Sequence, residues 1–551
     1  MSRSVLLPCG AGALARAGPP GPALAVRDRP GGLFFNRAGA QSLLTLCLAL
    51  ALGIAVAAPP QPKLLVLIVA EQFRPDYFDR FGGSFAAGGL RKLLEGGAVF
   101  RECRYGYAAT YPAPGAATLM TGSWPERHGI VAEYWYDRRA RRVVRSAEDP
   151  EAALVGSGSA ARPAGSPRRL AGVTLADQMK LAGGGRSRTV AVSLRDQTAV
   201  WLGGRRPAGC YWMDEAGRFV TSTYYKNRLP EWVERFQKAH PALRVRGRPW
   251  RALDAAESAP PLRVVDGATV DDFLATYLGS PYAVEDQFGF AREAVAAEEL
   301  GRGPGIDLLA VSVSSLYLLG LETGADSPLV RDLVLRVDRE IAGLLAWLEG
   351  RLGAGNVWVV FTATQGLAES PGALEAAGIP SGRVPGDQIA AAVNTRLAAA
   401  FGRGNYVEKF VFPSLYLRRE AVGALRAEDV ARASGEAALG VDGVADYWGA
   451  DRPGNQWLAR SRYADRSGDL LLAYQPYYWE RYGDARGVAA GSYYAYDARV
   501  PLVLHGPPFL ARVFQTPASP TDLAPTLAAA LGIAPPAGAT GRVLVESLRE
   551  P

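Results

Sequence analysis

The chain has 551 residues, 48% of them hydrophobic and 21% charged, so it can bury a sizeable core and does not have the composition of a disordered protein. Its formal net charge is +7, but residues 1–58 carry five arginines and one aspartate and account for four of those charges. The rest of the chain has no dense run of lysine or arginine, the pattern that nucleic-acid binding requires. We therefore expect no nucleic-acid partner.

An apolar segment near the N-terminus, residues 43–58, ends in the small-residue pattern AVA, which is typical of a secretory signal cleaved near Ala57. The segment is shorter than the ~20 residues that a spanning helix needs, so an uncleaved signal anchor is the alternative. We predict an N-terminal extension and signal peptide over residues 1–58 and one domain over residues 59–551. The protein is then expected to be periplasmic or secreted, with no other stable membrane span.

Cysteine and histidine are scarce in this chain. After signal cleavage, Cys103 and Cys210 would remain, and they could form one disulfide in an oxidising compartment or stay as two buried thiols. The three histidines are His128, His240 and His505, and there is no CxxC or HExxH motif. These features exclude the usual zinc sites of thiolate and imidazole ligands.

Short apolar runs separated by helical patterns make up the body of the chain. Five runs are typical of strands buried on both faces: Lys63–Ala70, Thr189–Leu194, Asp307–Val313, Asn356–Ala363 and Val500–Leu504. The clearest helix begins at Ser327-Pro328, a capping residue followed by proline. This alternation predicts an α/β fold, a three-layer αβα sandwich around a mostly parallel central sheet. Between about residues 201 and 300 the alternation of apolar runs and helical patterns gives way to aromatic and polar stretches, which we predict to form an inserted cap over the sheet edge.

Ligands of such sheets bind beyond the carboxyl ends of the strands. Glu71 follows the first run, Tyr317 and Leu321 follow the third, and Thr364 and Gln365 follow the fourth. Asp76 also follows the first run, but carboxylates near this run, with only neutral groups after the other two, do not make an evident metal site or acid/base pair.

Several segments resemble the alkaline phosphatase superfamily, in particular the phosphate-irrepressible alkaline phosphatases and the type I phosphodiesterase/nucleotide pyrophosphatases. In chain order they include VLIVAEQFRPDY (66–77), ATYPAPGAATLMTGSWPERHGIVAEYWYD (109–137), VSLRDQTAV (192–200), LLAVSVSSLYLLG (308–320), FTATQGLAESPGALEAAGIPSG (361–382), GSYYAYDARVPLVLHG (491–506) and SPTDLAPTLAAALGI (519–533). The resemblance implies hydrolysis of phosphate esters by two zinc ions and a threonine nucleophile.

The positions that match this machinery have changed. The first-strand aspartate of the family falls on Glu71, and its nucleophilic threonine falls on Pro112, which has no hydroxyl. Thr110, two residues earlier, could lie on the same side of an extended segment, but no base or metal is apparent to activate it. A turn or capping hydroxyl is its alternative role.

The other ligand positions have lost their ligands. The Asp-x-x-x-His pair of the family falls on Tyr317 and Leu321, its Asp-His pair on Thr364 and Gln365, and its last zinc-binding histidine on Ala490. We therefore expect no zinc cofactor, since stable zinc sites need about three or four ligands.

The substrate-binding positions have changed too. An asparagine of the family matches Glu133, whose charge would repel a phosphate, and a Lys-x-Arg phosphate clamp matches Arg195 and Gln197. The sequence thus predicts a non-catalytic pseudophosphatase that binds or scaffolds an unknown ligand or protein partner. A hydrolase of phosphate mono- or diesters with a rearranged site is the alternative.

Some residues outside these positions have open roles. The aromatic-rich runs Tyr474–Tyr482 and Tyr493–Tyr496 suit glycan or peptide binding, and packing explains them equally well. We expect His128 and His505 to have structural roles.

Overall fold

The structure of the protein is a computed structural model, which describes residues 61–157, 163–256, 258–452, 454–481 and 487–549. The predicted extension and signal peptide lie outside these residues. Within the described ranges, no helix combines the length and the apolar character that crossing a bilayer requires.

The strands alternate with helices along most of the chain. In chain order the strands are β1 Leu64–Ala70, β2 Ala98–Arg104, β3 Tyr134–Asp137, β4 Arg142–Arg145, β5 Glu148–Val155, β6 Pro163–Gly165, β7 Thr189–Ser193, β8 Gly209–Met213, β9 Phe219–Ser222, β10 Arg248–Trp250, β11 Arg263–Val265, β12 Asp307–Val313, β13 Val357–Thr362, β14 Gly382–Val384, β15 Val407–Val411, β16 Ser414–Leu417, β17 Val444–Trp448, β18 Leu470–Tyr474, β19 Tyr478–Glu480, β20 Arg499–His505 and β21 Arg512–Phe514.

The α-helices range from one turn to seven. They are α1 Tyr77–Phe81, α2 Leu90–Gly96, α3 Pro112–Thr121, α4 Pro125–His128, α5 Leu175–Ala182, α6 Asp196–Gly203, α7 Glu231–Ala239, α8 Val270–Leu278, α9 Pro281–Ala297, α10 Ser315–Thr323, α11 Pro328–Leu352, α12 Pro371–Ala376, α13 Gly386–Phe401, α14 Arg419–Val422, α15 Ala427–Leu439, α16 Gln456–Arg460, α17 Ala495–Ala498 and α18 Leu523–Ala530. Short 3₁₀ turns lie at Gly82–Ser84, Pro167–Arg169, Ala242–Val245, Ala354–Asn356, Pro520–Asp522 and Val545–Ser547.

The largest sheet has eleven strands, in the order β21-β2-β20-β13-β1-β12-β7-β8-β9-β5-β6. Its centre, from β13 to β8, is parallel, and β20 and β9 flank that block in antiparallel pairing. Every residue of β1 and β12 is buried, because helices cover a parallel sheet on both faces. The predicted α/β fold with a mostly parallel central sheet is confirmed.

Two groups of helices pack on the central strands. Helices α3, α6 and α18 form one group, while α9 and α11 belong to the other. Helix α11 begins at Pro328, as predicted, and the Ser327 side chain accepts a hydrogen bond from the Leu329 N–H. The two groups are the outer layers of the αβα sandwich.

The structure differs from the inserted cap that we predicted over residues 201–300. Strands β8 and β9 extend the central sheet, and α9 packs directly against β7 and β12. The aromatic residues that suggested a cap lie in the main core, where Phe219 and Phe290 stack with their ring centroids 3.9 Å apart. The start and the end of this stretch are therefore part of the sandwich, whereas β10 and β11 between them pair only with each other.

The sequence analysis did not identify a second sheet, which lies later in the chain. Strands β15, β16, β18 and β17 pair in that order, all antiparallel. With α13 and α15 they enclose a separate apolar cluster, here called the second core, to which Leu415, Leu470 and Val393 contribute. The second core also contains Tyr317 and Ala490, so this sheet covers the carboxyl end of the central strands.

Cys103 and Cys210 are both fully buried and both free thiols. Of the two alternatives for these cysteines, the structure has two buried thiols.

Candidate functional site

The predicted site residues lie at the carboxyl edge of the central sheet. Ala70 at the end of β1 is in register with Val313 at the end of β12, and the Glu71 N–H donates to the Val313 carbonyl over 3.2 Å. The residues that follow β1, β7 and β12 therefore leave the sheet side by side, as parallel pairing requires.

Glu71 is fully buried, and three hydroxyl groups hold one of its carboxylate oxygens. Thr198 Oγ1 donates to Oε1 over 2.7 Å, and Ser312 Oγ and Ser314 Oγ each donate over 2.8 Å. The other oxygen, Oε2, lies 3.4 Å from Nη1 of Arg195. Both oxygens of this carboxylate therefore already have partners.

Glu133 is the second carboxylate of the site. Its Oε1 accepts a hydrogen bond from the Ala113 N–H over 2.7 Å, and its Oε2 accepts one from Nη2 of Arg195 over 2.5 Å. Burial raises the pKa of Glu133, while the Arg195 guanidinium and the Ala113 N–H oppose that rise.

Arg195 lies between the two carboxylates. Its Nη2 also donates to Gln197 Oε1 over 3.0 Å, and its guanidinium lies 4.7 Å from the centroid of the Tyr317 ring. Burial opposes the charge on Arg195, but Glu133 and Glu71 outweigh that effect and raise its pKa. We call Glu71, Glu133, Arg195, Gln197 and Tyr317 the Arg195 cluster.

Helix α3 presents its N-terminus to this cluster. Pro112 is the first helical residue, preceded by Tyr111 in an extended conformation. The N-terminus of a helix attracts anions through its free N–H groups and its dipole. Here the Glu133 carboxylate binds the N–H of the second helical residue, Ala113, and occupies that position.

Thr110 does not present a free hydroxyl. It is fully buried, and its Oγ1 donates to the Ser492 carbonyl over 2.5 Å. Its hydroxyl thus stabilises the loop that follows residue 490, in line with the turn or capping role.

Thr364 and Gln365 follow β13 and are fully buried. Thr364 packs so closely on α3 that a Cβ at Gly115 would lie 2.6 Å from the Thr364 carbonyl oxygen. Thr364 Oγ1 and both amide atoms of Gln365 have no hydrogen-bond partner among the described residues, and the same is true of the amide of Gln72. Buried polar atoms in this state are the ones that water or a ligand would satisfy.

Leu321 and Ala490 occupy apolar surroundings. Ala490 belongs to the second core together with Tyr317, and Leu321 packs against it. No three His, Cys, Asp or Glu side chains come together as a metal-ligand group in the part of the chain that the structure describes.

A cavity of about 380 Å³ borders the Arg195 cluster. Arg195 forms part of its wall, together with the ion pair of Arg145 and Asp196 and the apolar side chains of Trp212 and Leu278. Its volume lies in the range of small-molecule sites.

Sequence reasoning missed the hydroxyl groups of Thr198, Ser312 and Ser314 that hold Glu71. Ser312 did carry a signal, since it is a polar residue inside the otherwise apolar strand DLLAVSV. A buried polar residue in such a strand needs a hydrogen-bond partner.

Comparisons with known proteins support one family. The sequence profile of the type I phosphodiesterase/nucleotide pyrophosphatase family matches residues 65–492. The chain belongs to this family. The resemblance predicted from the sequence is thereby confirmed, and the family is one of phosphoric ester hydrolases.

Two relatives of this phosphodiesterase-family chain are alkaline phosphatases. It is 28% identical to alkaline phosphatase PafA of Elizabethkingia meningoseptica over 525 residues, or 88% of this chain and 94% of PafA. It is 27% identical to alkaline phosphatase PhoV of Synechococcus elongatus over 524 residues, or 89% of this chain and 93% of PhoV. The crystal structure of wild-type PafA superposes with a TM-score of 0.81 and 28% identity, covering 89% of this chain and 99% of that chain.

Proposed function

We propose that this phosphodiesterase-family chain is a pseudophosphatase, which binds a ligand or a protein partner and does not hydrolyse phosphate esters. The observation that carries the proposal is the position of Arg195, whose guanidinium contacts both buried carboxylates of the site. A fixed side-chain cation thus stands against the carboxylates that would otherwise attract a metal ion.

Zinc does not fit the residues at this site. Glu71 accepts three hydroxyl hydrogen bonds and an ion pair, while Tyr317, Leu321 and Ala490 bring apolar or aromatic groups to the other matching positions. Stable zinc sites need about three or four nitrogen, sulfur or oxygen ligands. Without such a set, the phosphoryl-transfer transition state lacks its main charge stabilisation.

The nucleophile is missing as well. Pro112 offers no hydroxyl, and the Thr110 hydroxyl donates to a backbone carbonyl. A threonine nucleophile needs an adjacent base or a metal to activate it, and neither contacts Thr110 among the described residues.

The site also disfavours phosphate as a ligand. Glu133 occupies the anion position at the N-terminus of α3 and neutralises Arg195. A phosphate approaching this position would meet a carboxylate and have no free cation as a partner. The buried amides of Gln72 and Gln365, which have no hydrogen-bond partner among the described residues, favour a neutral, polar ligand instead.

The test measures bound metal and turnover in the same preparation. The protein is purified from zinc-replete medium, zinc is determined by mass spectrometry, and hydrolysis of p-nitrophenyl phosphate and bis-p-nitrophenyl phosphate is followed, with PafA as the active control. We expect less than about a tenth of an equivalent of zinc and no turnover. About two equivalents of zinc, with turnover that Glu71→Gln abolishes, would overturn the proposal in favour of a rearranged hydrolase.

We also propose that the protein is secreted or periplasmic. The proposal rests on the apolar segment at residues 43–58 and its small-residue ending. Fractionation of expressing cells, with N-terminal sequencing of the mature chain, tests it. A protein that keeps residue 1 and stays in the cytoplasm would contradict it.

A further inference from the structure

A second and larger cavity, of about 690 Å³, lies between the loop after β1 and the strands β2, β20 and β21. No member of the Arg195 cluster lines it. Its volume is typical of small-molecule sites, which are apolar cavities with a few convergent polar groups. We call it the β2–β20 cavity.

The charged side chains that line the β2–β20 cavity form ion pairs with one another. Arg74 pairs with Asp76 over 2.8 Å and with Glu369 over 2.6 Å. No unpaired cation therefore stands at this wall to select a phosphate.

The opposite wall repeats this arrangement. Arg101 pairs with Asp79 over 3.1 Å, and Arg499 pairs with Glu102. Since each of these carboxylates already faces an arginine, the cavity does not offer the group of free carboxylates that a metal ion requires.

Apolar and aromatic side chains form the rest of the lining. Phe78 and Phe100 contribute apolar surface. Tyr477 and Tyr496 also line the cavity and stack with their ring centroids 4.6 Å apart and their planes 20° apart. Tyr494 continues the stack, 5.9 Å beyond Tyr496, so Tyr477 is its end ring among the described residues.

Tyr477 is held in an unusual backbone conformation. Its φ of 63° lies in the left-handed region, which costs a residue with a side chain about 1–2 kcal/mol. The Tyr477 N–H donates to the Tyr496 hydroxyl over 3.0 Å, which fixes the ring at the cavity wall. Strain of this kind is concentrated at binding sites.

Two ion-paired side chains at the cavity wall remain partly exposed. Glu369 and Arg499 both line the cavity, and their side chains are 32% and 41% exposed. A carboxylate and a guanidinium have more hydrogen-bonding capacity than one ion pair uses, so each can form a further hydrogen bond with a bound molecule.

We propose that the β2–β20 cavity binds a neutral carbohydrate. A pyranose ring has apolar C–H faces, which pack on aromatic rings such as Tyr477. It also has adjacent hydroxyl groups, which match the planar donors and acceptors of the arginine–carboxylate pairs. An ion would not pack on the aromatic surface of the cavity, and a purely apolar ligand would form no hydrogen bonds with its ion pairs.

Calorimetric titration of the full chain with maltohexaose, cellohexaose and chitohexaose tests this site. We expect one of them to bind with a Kd below about 1 mM, with little dependence on salt because the cavity charges are paired. Tyr477→Gly should weaken that binding by about tenfold or more, while Tyr477→Phe keeps it. Glycine adopts a positive φ without strain, so the first variant removes the ring and preserves the fold.

A control variant separates this site from the rest of the molecule. Tyr282→Ala removes a tyrosine that does not line the cavity, and this variant should bind the oligosaccharide as the parent does. Three results would overturn the carbohydrate assignment: none of the three oligosaccharides binds, Tyr477→Gly binds as tightly as the parent, or the affinity falls steeply with salt. These results do not depend on turnover, so phosphatase activity would refute the proposed function and leave this inference standing.

Discussion

Arg195 is the residue on which the candidate site depends. Its side chain is 16% exposed, and those of Glu71 and Glu133 are 0% and 6% exposed. Buried charges at these positions compensate one another, and removing one partner leaves the others unpaired in a medium of low polarity.

Arg195→Met should therefore destabilise the protein by about 3–5 kcal/mol, because it leaves two buried carboxylates without their cation. Urea unfolding followed by circular dichroism measures this loss. Arg426→Met is the matched control at an arginine whose side chain is 78% exposed, and it should change the free energy of unfolding by less than about 0.5 kcal/mol. Equal effects of the two variants would contradict the structural role of Arg195.

Glu133→Ala should create a phosphate site. The change frees the Ala113 N–H at the start of α3 and one side of Arg195, which together favour an anion. Inorganic phosphate at about ten times its Kd should then stabilise the variant by about 1.4 kcal/mol and leave the parent unchanged. Differential scanning calorimetry, with sodium chloride at the same ionic strength as control, measures the difference. Equal stabilisation of both proteins would show that Glu133 does not occupy the anion position.

Part of this site could be predicted from the sequence. The resemblance marked Glu71, Glu133, Arg195 and Tyr317 as changed positions, and it predicted that Glu133 would disfavour phosphate. It could not predict that Arg195 would bridge the two carboxylates, because side-chain direction depends on packing between strands that are far apart in sequence.

At the scale of elements, the buried central strands were the most predictable. β12 was predicted without error, and β1, β7, β13 and β20 to within one or two residues, because runs of apolar residues fit strands buried on both faces. The second sheet was not identified. Its strand β15, VEKFV, is short and half-exposed, so it lacks such a run. Strand β18, LLLAY, is apolar and fully buried, and it carried a signal that the sequence analysis did not use.

His128 joins two helices on one side of the site. Its Nε2 lies 3.1 Å from Thr118 Oγ1 in α3, and its Nδ1 accepts a hydrogen bond from the Ile130 N–H after α4. Burial, helped by the charge of Arg466, lowers the pKa of His128 from 6.5 to about 3. The predicted structural role of this histidine agrees with these contacts.

The stability of the protein should consequently fall as the pH drops below 6.5. Between pH 6.5 and about 3, His128 is protonated in the unfolded state but not in the folded state. The contribution of His128 to the stability of the folded state is therefore fully present above pH 6.5 and is lost as the pH falls toward 3. His128→Gln should reduce the slope of unfolding free energy against pH by about 1 kcal/mol per pH unit in this window. Thr118→Val keeps the histidine and should lower stability at every pH without changing that slope. A slope unchanged in His128→Gln would refute the assignment.

At the scale of the whole molecule, the described domain is stabilised by packing without a disulfide. Cys103 and Cys210 lie in the main core, and burial raises the pKa of both thiols. A reductant should leave the unfolding midpoint unchanged, and the two thiols should react with a disulfide reagent only after denaturation. Rapid reaction in the native protein, or a midpoint that dithiothreitol lowers, would contradict this arrangement.

The mutual pairing of Glu71, Arg195 and Glu133 has a consequence for the history of the chain. A single substitution of one of these three residues by a metal ligand or a phosphate-binding residue would leave at least one of the other charges buried without its partner. Each such intermediate would be less stable than its parent before it gained any activity. Under the proposed function, the cost in stability therefore opposes a return to hydrolysis, which would require several residues to change together.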